Sequence, residues 1–402
     1  TSVRNRCLCF WRDGSRLREA LRWTVGALNT LGATNNMINK RALAIAVAAS
    51  SLALTGMAQA EVKVGFLGGF TGGIESLTPP IFAGAQLAVE QVNAQGGILG
   101  GQTLAMPSGD TTCSDASAAS NAADRMVNSE NVTAIVGALC TGATIAAANN
   151  AAIPGGVLMV SPASTAPAVS ELDDNDLVFR TVPSDAFQGE MLAKLLLDKG
   201  IDYVAVTFVN NDYGRGLSDA FSAAFTAGGG EVAENLAHED NRADYRSELG
   251  SLSASGADTL VVLAYADTSG QTVLRQAYES GMFTQYVGAD GMVGDSLVEA
   301  IGADVLDGMI ATRPGSPELP GTEIFNNAAT EADIDPSAVF AAQAYDAAFL
   351  IALAIEQNGS ADREGLSEAL RSVSSAPGEV ILPGEWEKAV ELIAAGTDIN
   401  YE

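Results

Sequence analysis

Residues 137–144 read GALCTGAT. A cysteine stands against a threonine in a small-residue loop, after an apolar run and before an alanine-rich one. A cysteine so placed can be a nucleophile, a metal ligand or half of a staple. The chain has a single histidine, His238. It ends a predicted strand beside Glu239 and Asp240 and reads as a surface residue. A Cys-His pair and a zinc site therefore lack partners, and no G-x-S-x-G turn offers a serine nucleophile. The stretch "GFLGGFTGG" (65–73) has the glycines of a phosphate loop without its lysine, and no G-x-G-x-x-G, so no nucleotide cofactor is expected. "DDND" (173–176) lacks the glycine and distal glutamate of a calcium loop and reads as a solvated loop. The expectation is a protein that is not an enzyme and holds neither metal nor cofactor.

Cysteine usage sharpens once the N-terminus is read. Met37 opens "MINKRALAIAVAASSLALTGMAQA", with a basic start at Lys40 and Arg41, an apolar core from Ala42 to Leu54, and a small-x-small end at Ala58-Gln59-Ala60. This is the pattern of a cleaved secretory signal. Residues 37–60 are thus expected to be the signal peptide and residues 1–36 an upstream extension. The protein after cleavage near Ala60 is expected to be soluble and periplasmic. From Glu61 onward two cysteines remain, Cys113 and Cys140. An even pair in an exported protein reads as one disulfide.

The charge is lopsided. The chain of 402 residues carries a net charge of −28. From Glu61 on it is −34, with 13 basic residues against 47 acidic ones. Such a surface repels phosphate backbones, which excludes nucleic acid as a partner.

The elements that must carry any site alternate between strand and helix. "VKVGFLGG" (62–69) is a buried strand entering a glycine turn, and Phe82, Ala85, Val89 and Val92 follow at helical spacing. "VTAIVGA" (132–138) and "GVLMVSP" (156–162) are strands with a helix between them. The rhythm breaks at "FRTVPSD" (179–185), restarts through strands near 203–209, 231–237, 258–264 and 286–289, and breaks again at "ATRPGSPELPG" (311–321). Long helices follow. This predicts an α/β fold of two doubly wound parallel-sheet lobes. Lobe 1 is residues 61–181 plus 314–402, and lobe 2 is residues 182–313.

In parallel sheets, ligands collect at the carboxyl ends of strands. "CTGAT" lies at one such end and "SPAST" (161–165) at the next. Thr141 falls at a predicted helix start, where free N–H groups and a hydroxyl suit a carboxylate. Tyr213, Tyr265 and Asp290 fall at three strand ends of the other lobe. Hydroxyl loops on one side and a carboxylate with two aromatics on the other suit a zwitterion.

From Glu61 on, the chain resembles the periplasmic leucine/isoleucine/valine-binding protein family, the type I solute receptors of ABC importers. The most specific stretch is "VGALCTGATIAAANNAAIPGGVLMVSPASTAP" (136–167). "AGAQLAVEQVNAQGGILG" (83–100), "NNDYGRG" (210–216), "VLRQAYESG" (273–281) and "VGADGMVGDSL" (287–297) support it in the same order. The resemblance implies two lobes joined by hinge strands that close on a ligand, and a bond between Cys113 and Cys140. It implies that Thr141 and Thr165 hold an α-carboxylate, that Ala163 offers its carbonyl to the α-ammonium, and that Ser164 lines the pocket through its backbone. Tyr213 and Tyr265 match aromatics that close over the ligand, and Asp290 matches the acid that pairs with the ammonium. Leu77, Leu139, Cys140 and Phe340 would form the pocket wall. Leu77 stands where the branched-chain receptors often have an aromatic, and Asp290 is one methylene shorter than their acid. Where family members continue into strands that recross to the second lobe, this sequence stops at "DINYE" (398–402). The implied function is capture of a branched-chain or other aliphatic amino acid by a monomer that delivers it to a membrane permease. A same-fold receptor for an amide, urea-like or aromatic-acid ligand, and a sensory binding module, are the alternatives.

Overall fold

The computed structural model describes residues 61–402. Residues 37–60 and 1–36, expected from sequence to be a signal peptide and an upstream extension, lie outside the described residues.

Two parallel sheets carry the fold. The first is built from β1 (Glu61–Gly68), β2 (Thr103–Ala105), β3 (Ser108–Asp110), β4 (Ala134–Gly137), β5 (Leu158–Ser161) and β6 (Val178–Arg180). Its order is β2-β1-β4-β5-β6, with β3 also on β1. The second holds β7 (Tyr203–Val209), β8 (Glu231–His238), β9 (Thr259–Leu263), β10 (Gln285–Gly288) and β11 (Ile310–Ala311), in the order β11-β10-β9-β7-β8. Every pairing in both sheets is parallel. The central strands β4, β5 and β9 are buried at every residue, as expected where helices cover both faces. Residues 179 and 180, read from sequence as part of a break, close the edge of the first sheet in β6.

After residue 320, the helix Ala341–Asn358 packs against β4 and β5 of the first sheet. The helix Ala341–Asn358 is buried at twelve positions and crosses the helix Thr78–Ala94 closely. A side chain at Gly84 would meet the Ala341 carbonyl oxygen at 2.2 Å, so glycine is what permits the crossing. The helix Trp386–Ala394 and a small parallel pair, β12 (Glu379–Ile381) with β13 (Ile399–Tyr401), complete this end. Neither was evident from sequence, since three-residue strands carry no periodicity to read. Among the described residues no helix is long and apolar enough to cross a membrane.

His238 corrects a sequence expectation. It does end β8, yet it is only 2% exposed. Its Nδ1 lies 2.8 Å from the Thr207 hydroxyl and its Nε2 3.0 Å from that of Ser269. Glu239 and Asp240 follow it out of the sheet, which is what made the local sequence look exposed. Burial pushes its pKa down to about 4.

Candidate functional site

The carboxyl ends of the two sheets face one another across a tightly closed cavity of about 20 Å³. From the first sheet's side it is lined by Ile74, Leu77, Ile81, Leu139, Cys140, Thr141, Ala163 and Phe340, and from the second by Tyr213, Tyr265, Asp290 and Gly291. Nine residues singled out in the sequence therefore come together in one wall. Ile74, Ile81 and Gly291 join them.

Thr141 is the first residue of the helix Thr141–Ala147, with Cys140 as its extended N-cap. The N–H groups of a first turn have no partner within their own helix. Cys113 and Cys140 are joined with their Cα atoms 5.4 Å apart, which ties the start of this helix to the loop after β3. Ala163 lies after β5 and is nearly buried. Phe340 takes a left-handed backbone (φ 66°) just before the helix Ala341–Asn358. A bulky residue pays ~1–2 kcal/mol for that conformation, and here it belongs to a ring that walls the cavity.

Ser164 and Thr165 are buried beside the cavity rather than in its wall. The Ser164 N–H donates to the Ser161 hydroxyl at 3.0 Å, and its own hydroxyl is 2.7 Å from that of Thr144. Ser164 thus braces the β4 and β5 loops against each other. Thr165 is 1% exposed, and its buried hydroxyl lies near the Asp185 carboxyl.

On the opposite side, Asp290 follows β10 and is 3% exposed. Its Oδ1 accepts from the Tyr213 hydroxyl at 3.0 Å and from Gln188 Nε2 at 2.9 Å. The Tyr213 hydroxyl in turn accepts the Gly291 N–H at 3.2 Å. The Tyr213 and Tyr265 rings stack with centroids 5.0 Å apart. Burial raises the Asp290 carboxyl above the ordinary carboxylate range, while the Tyr213 and Gln188 hydrogen bonds hold it down. Burial and the nearby acid raise both tyrosines. The site therefore presents one hydrogen-bonded acid in a dry, aromatic setting, facing a helix start across an aliphatic floor.

Asp185 and Gln188 were missed from sequence. Asp185 closes the polar stretch 179–185 and Gln188 lies in the helix read from residue 186, and neither falls at a strand end. Asp185 is wholly buried as the first residue of the helix Asp185–Asp198, and its carboxyl is pushed well above the ordinary range by burial and by Asp290. Among the described residues no cluster of His, Cys, Asp and Glu could hold a metal ion.

Two parallel sheets with a cavity between their carboxyl ends define a type I solute receptor, and comparison with known proteins agrees. The sequence profile of the periplasmic binding protein family matches residues 61–388. The leucine-, isoleucine-, valine-, threonine- and alanine-binding protein of Pseudomonas aeruginosa is 32% identical over 331 residues, covering 81% of this chain and 86% of that protein. A leucine-binding protein from Thermotoga maritima superposes with a TM-score of 0.70 at 29% identity, over 78% of this chain and 88% of the other. The branched-chain amino acid transporter substrate-binding protein of Streptococcus pneumoniae, solved with isoleucine, gives 0.69 at 26% identity, over 79% and 89%. The chain belongs to the branched-chain amino acid periplasmic binding protein family. That family consists of solute-binding receptors, not enzymes.

Proposed function

We propose that this protein captures a small aliphatic α-amino acid between its two lobes and hands it to the permease of an ABC importer. The observation that carries the reading is the composition of one wall. Asp290, held by Tyr213 and Gln188, faces Thr141 at a helix start, and Ile74, Leu77, Ile81 and Leu139 lie around them. A zwitterion needs both its charges met when it leaves water.

In this reading Thr141 and Thr165 receive the α-carboxylate. The Ala163 carbonyl and Asp290 receive the α-ammonium, with Ser164 shaping the loop. The apolar floor takes the side chain. Tyr213 and Tyr265 arrive with the second lobe as it closes, around hinges near residues 181–182 and 313–314. The relatives named for leucine, isoleucine and valine support an aliphatic ligand. We place the protein in the periplasm as a soluble monomer, exported by residues 37–60 and carrying an oxidised Cys113–Cys140 bond. A thermal-shift and calorimetry screen against the standard amino acids, small amides and aromatic acids tests the ligand class. Stabilisation by leucine, isoleucine or valine supports the reading. Stabilisation by an amide or aromatic acid alone overturns it.

A further inference from the structure

Close to Asp290 stands a group of buried polar atoms with few partners: both carboxyl oxygens of Asp185, Oε1 of Gln188 and the Thr165 hydroxyl. The Thr165 hydroxyl is the neighbour that favours the ionised Asp185 carboxylate, and burial outweighs it. Asp185 is 0% exposed. Its N–H donates to the Thr165 carbonyl at 2.8 Å, so it is fixed against the loop after β5. Gln188 sits three residues further along the same helix and therefore on the same face. Gln188 Nε2 reaches Asp290 Oδ1 at 2.9 Å and the Thr312 carbonyl at 3.3 Å. The helix that carries Asp185 thus reaches Asp290 through Gln188, and the two acids are near enough for the charge of Asp290 to be felt at Asp185.

The groups facing this pair answer its charge only in part. Arg180 is the cation whose field reaches Asp185, but no hydrogen bond joins them and its Nη atoms point to other acceptors. Nη1 donates to the carbonyls of Ser164, Thr165 and Ala166, and Nη2 to the Ser170 hydroxyl. Tyr213 and Tyr265 stay neutral, each raised first by burial and then by both acids. Two carboxylates in one dry site cannot both ionise cheaply, and such groups titrate as a unit.

We infer that Asp185 and Asp290 work as one proton-sharing pair, and that docking of a ligand's cationic group on Asp290 drives the shared proton off. The inference rests on the proposed amino-acid reading for the identity of that cation. Asp185 does not line the cavity. It is a positioning residue that acts through Asp290, setting the charge the ligand meets. In the free receptor the pair holds one carboxylate and one carboxylic acid. When the ammonium docks, the O–H bond of the acid breaks, its proton passes to the buffer, and two carboxylates share the incoming charge. Binding is then linked to proton release, and affinity tightens as pH rises through the pair's titration, by at most ~10-fold per pH unit.

The test is calorimetry of L-leucine binding to the full chain, in buffers of different ionisation heat, at pH about 6 and about 7.5. The wild type is expected to release about 0.5–1 proton per ligand and to bind severalfold more tightly at the higher pH. Asp185→Asn keeps the shape and removes the proton. It is expected to release almost none and to change affinity less than about twofold over the same range. Equal proton release by wild type and Asp185→Asn, or none by the wild type, overturns the inference. A melting curve for each variant confirms folding. If L-leucine fails to bind, the amino-acid reading fails by itself, and the pair is still tested in the free protein. With aspartate labelled at its carboxyl carbon, the Asp185 signal should titrate far above the surface acids and fall in Asp290→Asn. An Asp185 signal that titrates with the surface acids, or is unmoved in Asp290→Asn, overturns the pair.

Discussion

Ser76 and Asp267 join the loops of the two sheets, next to Leu77 and close to Tyr265 of the cavity wall. The Ser76 N–H donates to Asp267 Oδ2 at 2.8 Å, and its hydroxyl reaches Oδ1 at 2.9 Å. The same hydroxyl lies 2.9 Å from that of Ser296. Ser76 follows β1 and Asp267 follows β9, so this contact exists only while the two sheet edges are together. Tyr265, two residues before Asp267, is equally close to the first sheet. A side chain at Gly73 would come within 3.0 Å of its ring.

A contact made only in the closed form shifts the open–closed equilibrium by its own free energy. Asp267→Ala should therefore weaken the proposed ligand's affinity by about 0.5–1.5 kcal/mol without touching the cavity wall. Stopped-flow binding should show the change mainly as faster release. An unchanged release rate would mean that Ser76 and Asp267 do not latch the cleft.

Tyr213 holds Asp290 through one hydroxyl. Tyr213→Phe removes that donor and leaves the stacked ring in place, so it should cost about 1 kcal/mol of binding, roughly fivefold in Kd. Titration calorimetry of the variant against wild type reads the difference. A Kd within experimental error of wild type would show that Asp290 needs no such support.

The bond between Cys113 and Cys140 closes a sequence separation of 27 residues. The chain-entropy relation gives about 3.5 kcal/mol for a loop of that size. Replacing both cysteines by serine should remove roughly that much from the free energy of unfolding in urea. It should also loosen Thr141, the next residue after Cys140, and weaken binding. Unchanged stability and affinity would leave the bond without either role.

His238 is buried neutral with its pKa lowered to about 4, against ~6.5 when unfolded. Between those values the unfolded chain binds the extra proton and the folded one does not, so stability is lost as pH falls from about 6.5 towards 4. The full loss amounts to about 3 kcal/mol. His238→Gln should flatten the pH dependence of urea unfolding in that window. A slope as steep as the wild type's would assign the acid sensitivity to other groups.

Much of this arrangement is legible in the sequence because parallel strands are short apolar runs and their loops must gather at one edge. Thr141, Ala163, Tyr213, Tyr265 and Asp290 were each found at a strand end, and the fold brings all five to one cavity. What stayed hidden depended on contacts distant in sequence. Asp185 looked like part of a polar break because nothing local shows that Thr165, Gln188 and Asp290 enclose it. His238 looked exposed because its neighbours are acidic, whereas Thr207 and Ser269, each 31 residues away, cover it. Ser164 was expected in the pocket, but its N–H is engaged by Ser161 three residues earlier, a turn that hydroxyl-rich sequence alone does not define.

The central claim is that Asp290 receives the ammonium of an aliphatic amino acid. Calorimetric titration of the purified protein with L-leucine, L-isoleucine and L-valine, wild type beside Asp290→Ala, tests it most directly. One ligand per chain is expected in the wild type and a loss of about 2–5 kcal/mol in the variant, because the buried ammonium keeps the Ala163 carbonyl but loses its counter-charge. Binding of equal strength in both proteins, or no binding of any of the three by the wild type, would contradict it.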